Sequence, residues 1–210
     1  MRMSAIPGRF RSLRSDERGS PLLEFALGAP VFFLMVCAIA EFGLMMFVIV
    51  LMESSLRDAS RYGLTGQLPD GASTMAEREA YIRQLVEDRT LGLIDFDKAV
   101  LEIRSYPTFD DVAEGEAFVD GNGNGKYDGG ETFKDCNANG KRDDDRGSAG
   151  AGESGSVVLY RLRYDWPLIT PMVGRIIGTS GKFPLSASVA VRNEPWNPSL
   201  DGSEPKPCTL

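Results

Sequence analysis

The sequence of 210 residues contains no histidine, only three cysteines, and fewer basic than acidic residues. The absence of histidine removes the commonest general base. It also excludes Ser/His and Cys/His nucleophile pairs and most zinc and haem ligation. The 23 basic and 30 acidic residues give a net charge of −7. This charge argues against a nucleic-acid partner, because phosphate binding needs a basic face. No catalytic constellation is visible, so we expect neither an enzyme nor a small-molecule substrate.

Charge and hydropathy are distributed unevenly along the chain. Residues 1–19 hold five Arg against Asp16 and Glu17, whereas the remainder has 18 basic and 28 acidic residues. An apolar run from Phe25 to Met52 follows, interrupted only by Glu41. This run exceeds the ~20 residues that cross a bilayer as a helix, and the preceding Arg excess predicts a cytoplasmic N-terminal side. The acidic remainder is then expected across the membrane.

Beyond the apolar run, the sequence predicts an α+β domain. Helical spacing of polar residues extends the first helix to about Gly66, and the capping-box pair Thr74 and Glu77 predicts a second helix that ends near Arg89. Period-two alternation then predicts three strands of a small antiparallel sheet, at about 100–106, 157–164 and 185–191. The expected organisation is a leader at 1–19, a transmembrane and protruding helix at 20–66, and a domain at 67–210 with an insert at 110–155.

Three interpretations of the N-terminus compete. A secretory signal cleaved at Ala38-Ile39-Ala40 would leave the apolar stretch from Phe42 to Met52 exposed at the new N-terminus. An uncleaved signal anchor would give no role to Glu24 and Glu41, although a carboxylate at this depth costs about 2.5 kcal/mol or more. In the third interpretation, cleavage before Ser20 would create an ammonium group with which Glu24 of a neighbouring helix could pair.

The third interpretation is supported by a resemblance to known proteins. Gly19, Ser20, Glu24 and Phe25 resemble the processing site of type IV prepilins, which a membrane peptidase cuts after the Gly. A longer series of segments is similar to the TadE-like pseudopilins of tight-adherence (Tad or Flp) secretion systems: Glu24-Phe25-Ala26-Leu27, Pro30, Glu41-Phe42-Gly43, Asp58-Ala59-Ser60-Arg61, Thr65-Gly66-Gln67 and Val191-Arg192-Asn193-Glu194-Pro195-Trp196. The opening Ser20-Pro21 departs from the usual pattern.

The resemblance implies a minor pseudopilin or assembly factor of a Flp-type pilus. Its location would be the bacterial inner membrane, with one span and a periplasmic C-terminal domain. Its partners would be the prepilin peptidase, other pilins or pseudopilins and the pilus assembly platform. Glu41 would pair with a neighbouring helix at membrane depth, although an alternative is a solvated position at the outer interface. A different class of function, an anchored calcium-binding adhesion or interaction module outside any pilus, remains the alternative.

The insert contains a twelve-residue calcium-loop pattern. Oxygen-bearing side chains stand at positions 1, 3, 5, 9 and 12, a Gly stands at position 6, and position 7 offers a backbone carbonyl. The predicted ligands are Asp120, Asn122, Asn124, Lys126, Asp128 and Glu131. The loops lack flanking helical patterns, so we expect a structural calcium site rather than a sensor. The alternative is a flexible loop of Asn-Gly and Asp-Gly turns.

A partial copy of the pattern follows the first loop. Its predicted ligands are Asp135, Asn137, Asn139, Lys141 and Asp143. Position 12 is Arg146, so a bidentate carboxylate would have to come from Asp144, Asp145 or elsewhere. A disulfide between Cys136 and Cys208 is possible in an oxidising compartment, while Cys37 lies in the apolar run.

Overall fold

A computed structural model describes residues 20–65, 74–137 and 139–195 of the chain. The predicted leader at 1–19 and most of the linker before the second helix lie outside the described residues. The elements are α1 (Ser20–Leu64), α2 (Met75–Arg89), β1 (Val100–Tyr106), a 3-10 turn (Phe109–Asp111), β2 (Ser148–Ala149), β3 (Val157–Pro167), α3 (Pro171–Ile177) and β4 (Lys182–Arg192).

Helix α1 has 45 residues and divides into two parts with different surroundings. None of residues 21–40 is buried, and their large apolar side chains are exposed except for the half-buried Leu34. From position 45 onward, apolar side chains at spacings of three and four residues face the domain and form one side of its core: Met45, Val48, Met52, Leu56 and Ala59. This spacing places them on one helix face. The second half of the apolar run is therefore packed against protein on one side, and the fully exposed stretch is shorter than the run from Phe25 to Met52.

Helix α2 is fixed at both ends. The hydroxyl of Thr74 accepts the N–H of Glu77 at 3.3 Å, and the Glu77 carboxylate accepts the N–H of Thr74 at 3.0 Å, which confirms the predicted capping box. The guanidinium of Arg78, which is 1% exposed, donates to the carbonyl of Gly63. An ion pair of 3.4 Å joins Arg89 to Asp58. These contacts hold α2 against the last turns of α1.

The four strands form one antiparallel sheet in the order β2-β1-β3-β4. Alternate β3 and β4 residues face α1 and α2 and complete the core: Val158, Tyr160, Leu162, Tyr164, Trp166, Leu185 and Ala187. A smaller cluster of Tyr106, Val157 and Leu159 lies on the opposite face of the sheet with Val112. The predicted α+β class and the antiparallel sheet are confirmed.

The sheet is joined to α1 by contacts at both of its ends. At one end, the N–H of Glu194 donates to the carbonyl of Leu64 at 3.0 Å. At the other end, the β3–β4 connection contacts Glu41. We call these the Leu64 end and the Glu41 end. Tyr106 pairs with Val157, which pairs with Arg192, so the chain leaves β1 and enters the insert at the Leu64 end.

Strand β2, helix α3 and the 3-10 turn are not among the predicted elements. Strand β2 has two residues, and α3 has seven, so both are too short for a periodic pattern. Strands β3 and β4 are also longer than predicted, because Asp165, Pro167 and Pro184 continue the pairing beyond the apolar alternation.

Candidate functional site

The residues predicted for processing lie at the beginning of α1. Ser20 is the first helical residue, and Glu24 and Phe25 follow within two turns on an exposed part of the helix. Gly19 lies outside the described residues. The predicted cleavage would therefore leave a chain that starts in helix, with Glu24 one turn from its first residue. By length and composition, α1 is able to cross a membrane.

Glu41 marks the point where α1 meets the domain. Its side chain is buried, at 4% exposure, and its carboxylate accepts the backbone N–H groups of Ile169 and of Thr170, the latter at 2.9 Å. Thr170 is the residue before α3, so the carboxylate satisfies donors at a helix start. The predicted pairing of Glu41 with another helix stays a prediction, and any such pairing would have to share or replace these contacts.

The first loop brings its predicted side chains together. The Asp120 carboxylate accepts the N–H groups of Gly123 and Gly125 at 2.7 Å each. Gly125 has a φ of +73°, a left-handed conformation that suits glycine and produces the sharp turn. The side-chain amides of Asn122 and Asn124 both donate to the same Asp128 oxygen at 2.7 Å.

Position 12 closes the first loop. The Glu131 carboxylate accepts the N–H of Gly121 with one oxygen at 2.8 Å and the N–H of Asp128 with the other at 3.0 Å. Lys126 donates its backbone N–H to the Asn124 side chain at 2.7 Å. The five side chains predicted as ligands thus make hydrogen bonds within this one loop, with both glutamate oxygens held by backbone donors.

The second loop repeats this arrangement. One Asp135 oxygen accepts the N–H of Gly140 at 2.7 Å, as Asp120 does from Gly125. Asn137 and Asn139 donate their side-chain amides to one Asp143 oxygen at 2.7 and 2.5 Å. Lys141 donates its N–H to the Asn139 side chain at 2.8 Å. The partial sequence copy therefore repeats the hydrogen bonds of the first loop at positions 1, 3, 5, 6, 7 and 9.

Glu116, which no sequence pattern indicates, occupies the position-12 place of the second loop. It is 1% exposed, and its oxygens accept the N–H groups of Cys136 at 2.6 Å and Asp143 at 3.0 Å. These donors are positions 2 and 9 of the second loop, and Glu131 accepts the same two positions of the first. The pairing of residues 117–119 with 132–134 explains this placement. Phe118 forms an antiparallel β-bridge with Phe133, and the Val119 N–H donates to the Thr132 carbonyl at 2.8 Å.

The acidic residues suggested by sequence for that role have other contacts. Asp144 is 96% exposed and forms an ion pair with Arg142 at 2.6 Å, and Asp145 accepts the Tyr106 hydroxyl at 2.8 Å. Arg146, at the nominal position 12, forms a 3.2 Å ion pair with the almost fully buried Asp111. The only sequence signal for Glu116 is its place directly before the apolar residues that precede the first loop.

The insert forms a layer of turns fastened to the Leu64 end of the sheet. Between positions 112 and 147, the described residues contain no helix, in agreement with the lack of helical patterns beside the loops. Tyr127 packs edge-on against Phe118 and Phe133, each with ring centroids 5.8 Å apart. The Arg142 guanidinium lies 5.0 Å from the Phe118 ring centroid, a cation–π distance. Burial and the hydrogen bond to Asp145 raise the pKa of Tyr106 to about 12.

The electrostatics of both loops favour ionised carboxylates. Hydrogen bonds from the backbone, with that of Gly125 first, lower the pKa of Asp120. Hydrogen bonds from the Asn137 and Asn139 side chains lower the pKa of Asp143. Among the described residues, no three Cys, Asp or Glu side chains form a group suited to a metal. A site in either loop would therefore depend on asparagine and backbone oxygens, as calcium coordination commonly does.

The structure describes two of the three cysteines, Cys37 and Cys136. Cys208 lies outside the described residues, so its pairing with Cys136 stays a prediction. Cys37 is a free, exposed thiol on the membrane-compatible part of α1.

The architecture is that of a protein with an apolar N-terminal helix, whose second half packs into the core of an α+β domain. Residues 19–61 match the family model described as TadE-like protein. This match confirms the resemblance found in the sequence and gives the chain a TadE-like N-terminal segment, consistent with a pilus protein of the Tad system. No curated protein and no solved structure matches the chain.

Proposed function

We propose that the protein is a TadE-like minor pseudopilin or assembly factor of a tight-adherence pilus. One observation carries this proposal: the family match at 19–61 begins at the proposed cleavage site and covers the helix from its start into the domain core. The match includes both the apolar stretch for the membrane and the stripe that supports the domain. A helix of this kind can join a membrane-embedded assembly while it displays a folded domain.

The proposed membrane span is 21–40. These 20 residues correspond to ~30 Å of helix, the thickness of the hydrocarbon core. Their exposure leaves the apolar side chains available to lipid or to other apolar helices. The arginine-rich residues 1–19 favour a cytoplasmic N-terminus, and the domain would then lie in the periplasm.

We propose that each loop of the insert binds one calcium ion. Support for the first site comes from the hydrogen bonds that Asp120, Asn122, Asn124, Asp128 and Glu131 make within the loop, and for the second from matching hydrogen bonds with Glu116 in place of position 12. Bound calcium would supply the charge neutralisation that these acidic turns need, since four basic residues face eleven acidic ones between Asp110 and Asp145. Its role would be structural, ordering the surface that the domain presents to partners at the Leu64 end.

The decisive experiment is the mass of the native N-terminus, measured with and without the prepilin peptidase. The proposal expects a mature chain that begins at Ser20 when the peptidase is present and retains residues 1–19 when it is absent. A Gly19→Leu variant should keep the leader in both strains, whereas Gly28→Leu, a change within α1 outside the cleavage site, should be processed. A chain that retains its leader in peptidase-positive cells contradicts the pseudopilin role and favours an anchored interaction module.

A further inference from the structure

The connection between β3 and β4 carries an exposed apolar surface at the Glu41 end of the domain. Ile169, Met172 and Ile176 are 68, 59 and 71% exposed. Met172 and Ile176, four residues apart, lie on one side of α3, and Ile169 lies two residues before this helix begins in the segment 168–181. Val173 and Gly174 are buried, so the segment packs on the domain through these residues and not through its exposed apolar side chains.

The Glu41 carboxylate fixes the position of this surface along the axis of α1. That carboxylate accepts the N–H groups of Ile169 and Thr170, so the segment lies beside position 41 of the helix. The preceding residues, 21–40, are the exposed apolar stretch with the length of one bilayer crossing. The apolar surface is therefore next to the place where α1 would leave the hydrocarbon core.

The charged side chains of the segment 166–193 are all basic, and the Glu41 carboxylate that contacts this segment is buried. From Trp166 to Asn193 the sequence contains no acidic residue, although the whole chain has a net charge of −7. Arg175 lies between Met172 and Ile176 and is exposed, and Lys182 is exposed at the start of β4. The acidic insert lies at the opposite, Leu64 end of the sheet. An apolar stripe bordered by cations matches a surface of anionic lipid headgroups above acyl chains.

We propose that the segment 168–181 is a membrane-contacting foot that rests on the outer surface of the bilayer crossed by α1. Ile169, Met172 and Ile176 enter the interface between headgroups and acyl chains, and Arg175 and Lys182 contact lipid phosphates. The foot and α1 together hold the domain at two points, which sets its tilt and directs the insert away from the membrane. This inference rests on the proposed membrane anchoring of α1.

Spin labels on the full-length protein test the foot. The protein, with Cys37→Ala, is reconstituted in vesicles of phosphatidylethanolamine and phosphatidylglycerol, and single cysteines are added as Phe33→Cys, Met172→Cys, Ile176→Cys or Lys126→Cys. Accessibility of each label to oxygen and to a water-soluble nickel complex gives its depth. The parent without an added cysteine reports any label at Cys136 and Cys208. We expect label 33 in the hydrocarbon, labels 172 and 176 at headgroup depth with loss of nickel accessibility, and label 126 in water.

Each other result overturns the inference in a different way. Label 33 in the hydrocarbon with labels 172 and 176 as accessible to nickel as label 126 removes the foot and leaves the anchor. Label 33 in water removes the anchor and the foot together. Labels 172 and 176 protected by protein show spin–spin broadening that disappears on dilution with unlabelled protein, and this result identifies a second copy as the occupant instead of lipid.

Discussion

Glu116 accepts the backbone N–H of Asp143 at 3.0 Å, although 27 residues separate them. Glu131 makes the same contact with Asp128 at 3.0 Å within the first loop. One loop thus carries its closing carboxylate at its own end, and the other receives it from the segment before the first loop. This relationship ties the two loops into one unit, because residues 132–134, which follow Glu131, pair with 117–119 and so position Glu116 beside the second loop.

The first prediction concerns the number of calcium sites. Glu116→Gln removes one charged oxygen from the proposed second site, and we expect calcium titration of the full chain in detergent to change from two sites to one. The second affinity should fall by at least ~10-fold, since even the loss of an outer-shell partner costs this much. Glu114→Gln, two residues away and exposed, should retain both sites. Two sites of unchanged affinity in Glu116→Gln would show that this carboxylate is not a ligand.

A second prediction concerns removal of calcium. Trypsin should cut the insert at Lys126, Lys134, Lys141 and Arg142 faster in a calcium chelator than in calcium. At a calcium concentration of 100 times the dissociation constant, binding stabilises the ordered insert by about 2.7 kcal/mol, a factor of about 100 in the cleavable population. Cleavage after Arg89, outside the insert, is the internal control. Equal insert cleavage rates in both solutions would contradict an ordering role for calcium.

A third prediction concerns the contact between α1 and the β3–β4 connection. Glu41→Gln keeps one carbonyl oxygen for two N–H donors, so one of Ile169 and Thr170 loses its partner. The expected loss is about 1–3 kcal/mol of local stability, the cost of an unsatisfied buried donor. Hydrogen exchange at residues 168–181 of the full chain in detergent should accelerate accordingly.

The matched control for that variant is Glu53→Gln on the same helix. Glu53 is exposed and forms a 3.7 Å ion pair with Arg57 one turn along, an interaction worth about 0.3–0.5 kcal/mol. It should leave the exchange of 168–181 unchanged. Equal exchange in Glu41→Gln and Glu53→Gln would mean that the Glu41 contact does not hold the connection in place.

Much of the fold could be predicted because its signals are local. The capping pair Thr74 and Glu77 lies within one turn, and the alternation in β1, β3 and β4 is written in consecutive residues. The two calcium-loop patterns are also local, since each places its oxygens within twelve positions. Helix α3 and strand β2 escape such reasoning because they are short and are held by contacts with distant parts of the chain.

The parts that sequence does not reveal depend on contacts across the fold. Glu116 is separated from Cys136 by 20 residues, and Glu41 from Thr170 by 129, and no spacing rule connects these pairs. The apolar run from Phe25 to Met52 is interrupted only by Glu41, at the point where lipid-compatible exposure changes to domain packing, but the sequence does not show what this carboxylate contacts. That division follows from the position of the sheet, which is fixed by the Glu41 and Leu64 contacts together.

The last prediction concerns the close packing of α1 on β3. A Cβ atom at Gly63 would lie 2.0 Å from the hydroxyl of Tyr160, a side chain that is fully buried. Gly63→Ala should therefore destabilise the domain by about 1–3 kcal/mol in denaturant unfolding, as overpacking does. Gly43→Ala is the matched control, because a Cβ there meets nothing within 4 Å, and alanine should stabilise the helix by up to ~1 kcal/mol.

A double variant separates overlap from any backbone role of Gly63. The Tyr160 hydroxyl has no hydrogen-bond partner in the described part of the chain, so Tyr160→Phe alone should cost little. Without that hydroxyl, the nearest ring atom to an alanine Cβ would be the Tyr160 Cζ at 3.1 Å, a contact that a small shift relieves. We expect Gly63→Ala with Tyr160→Phe to recover most of the lost stability, a coupling that a double-mutant cycle measures directly. Additive effects of the two changes would instead assign the loss to the helix end, where the Gly63 carbonyl accepts the hydrogen bond of Arg78.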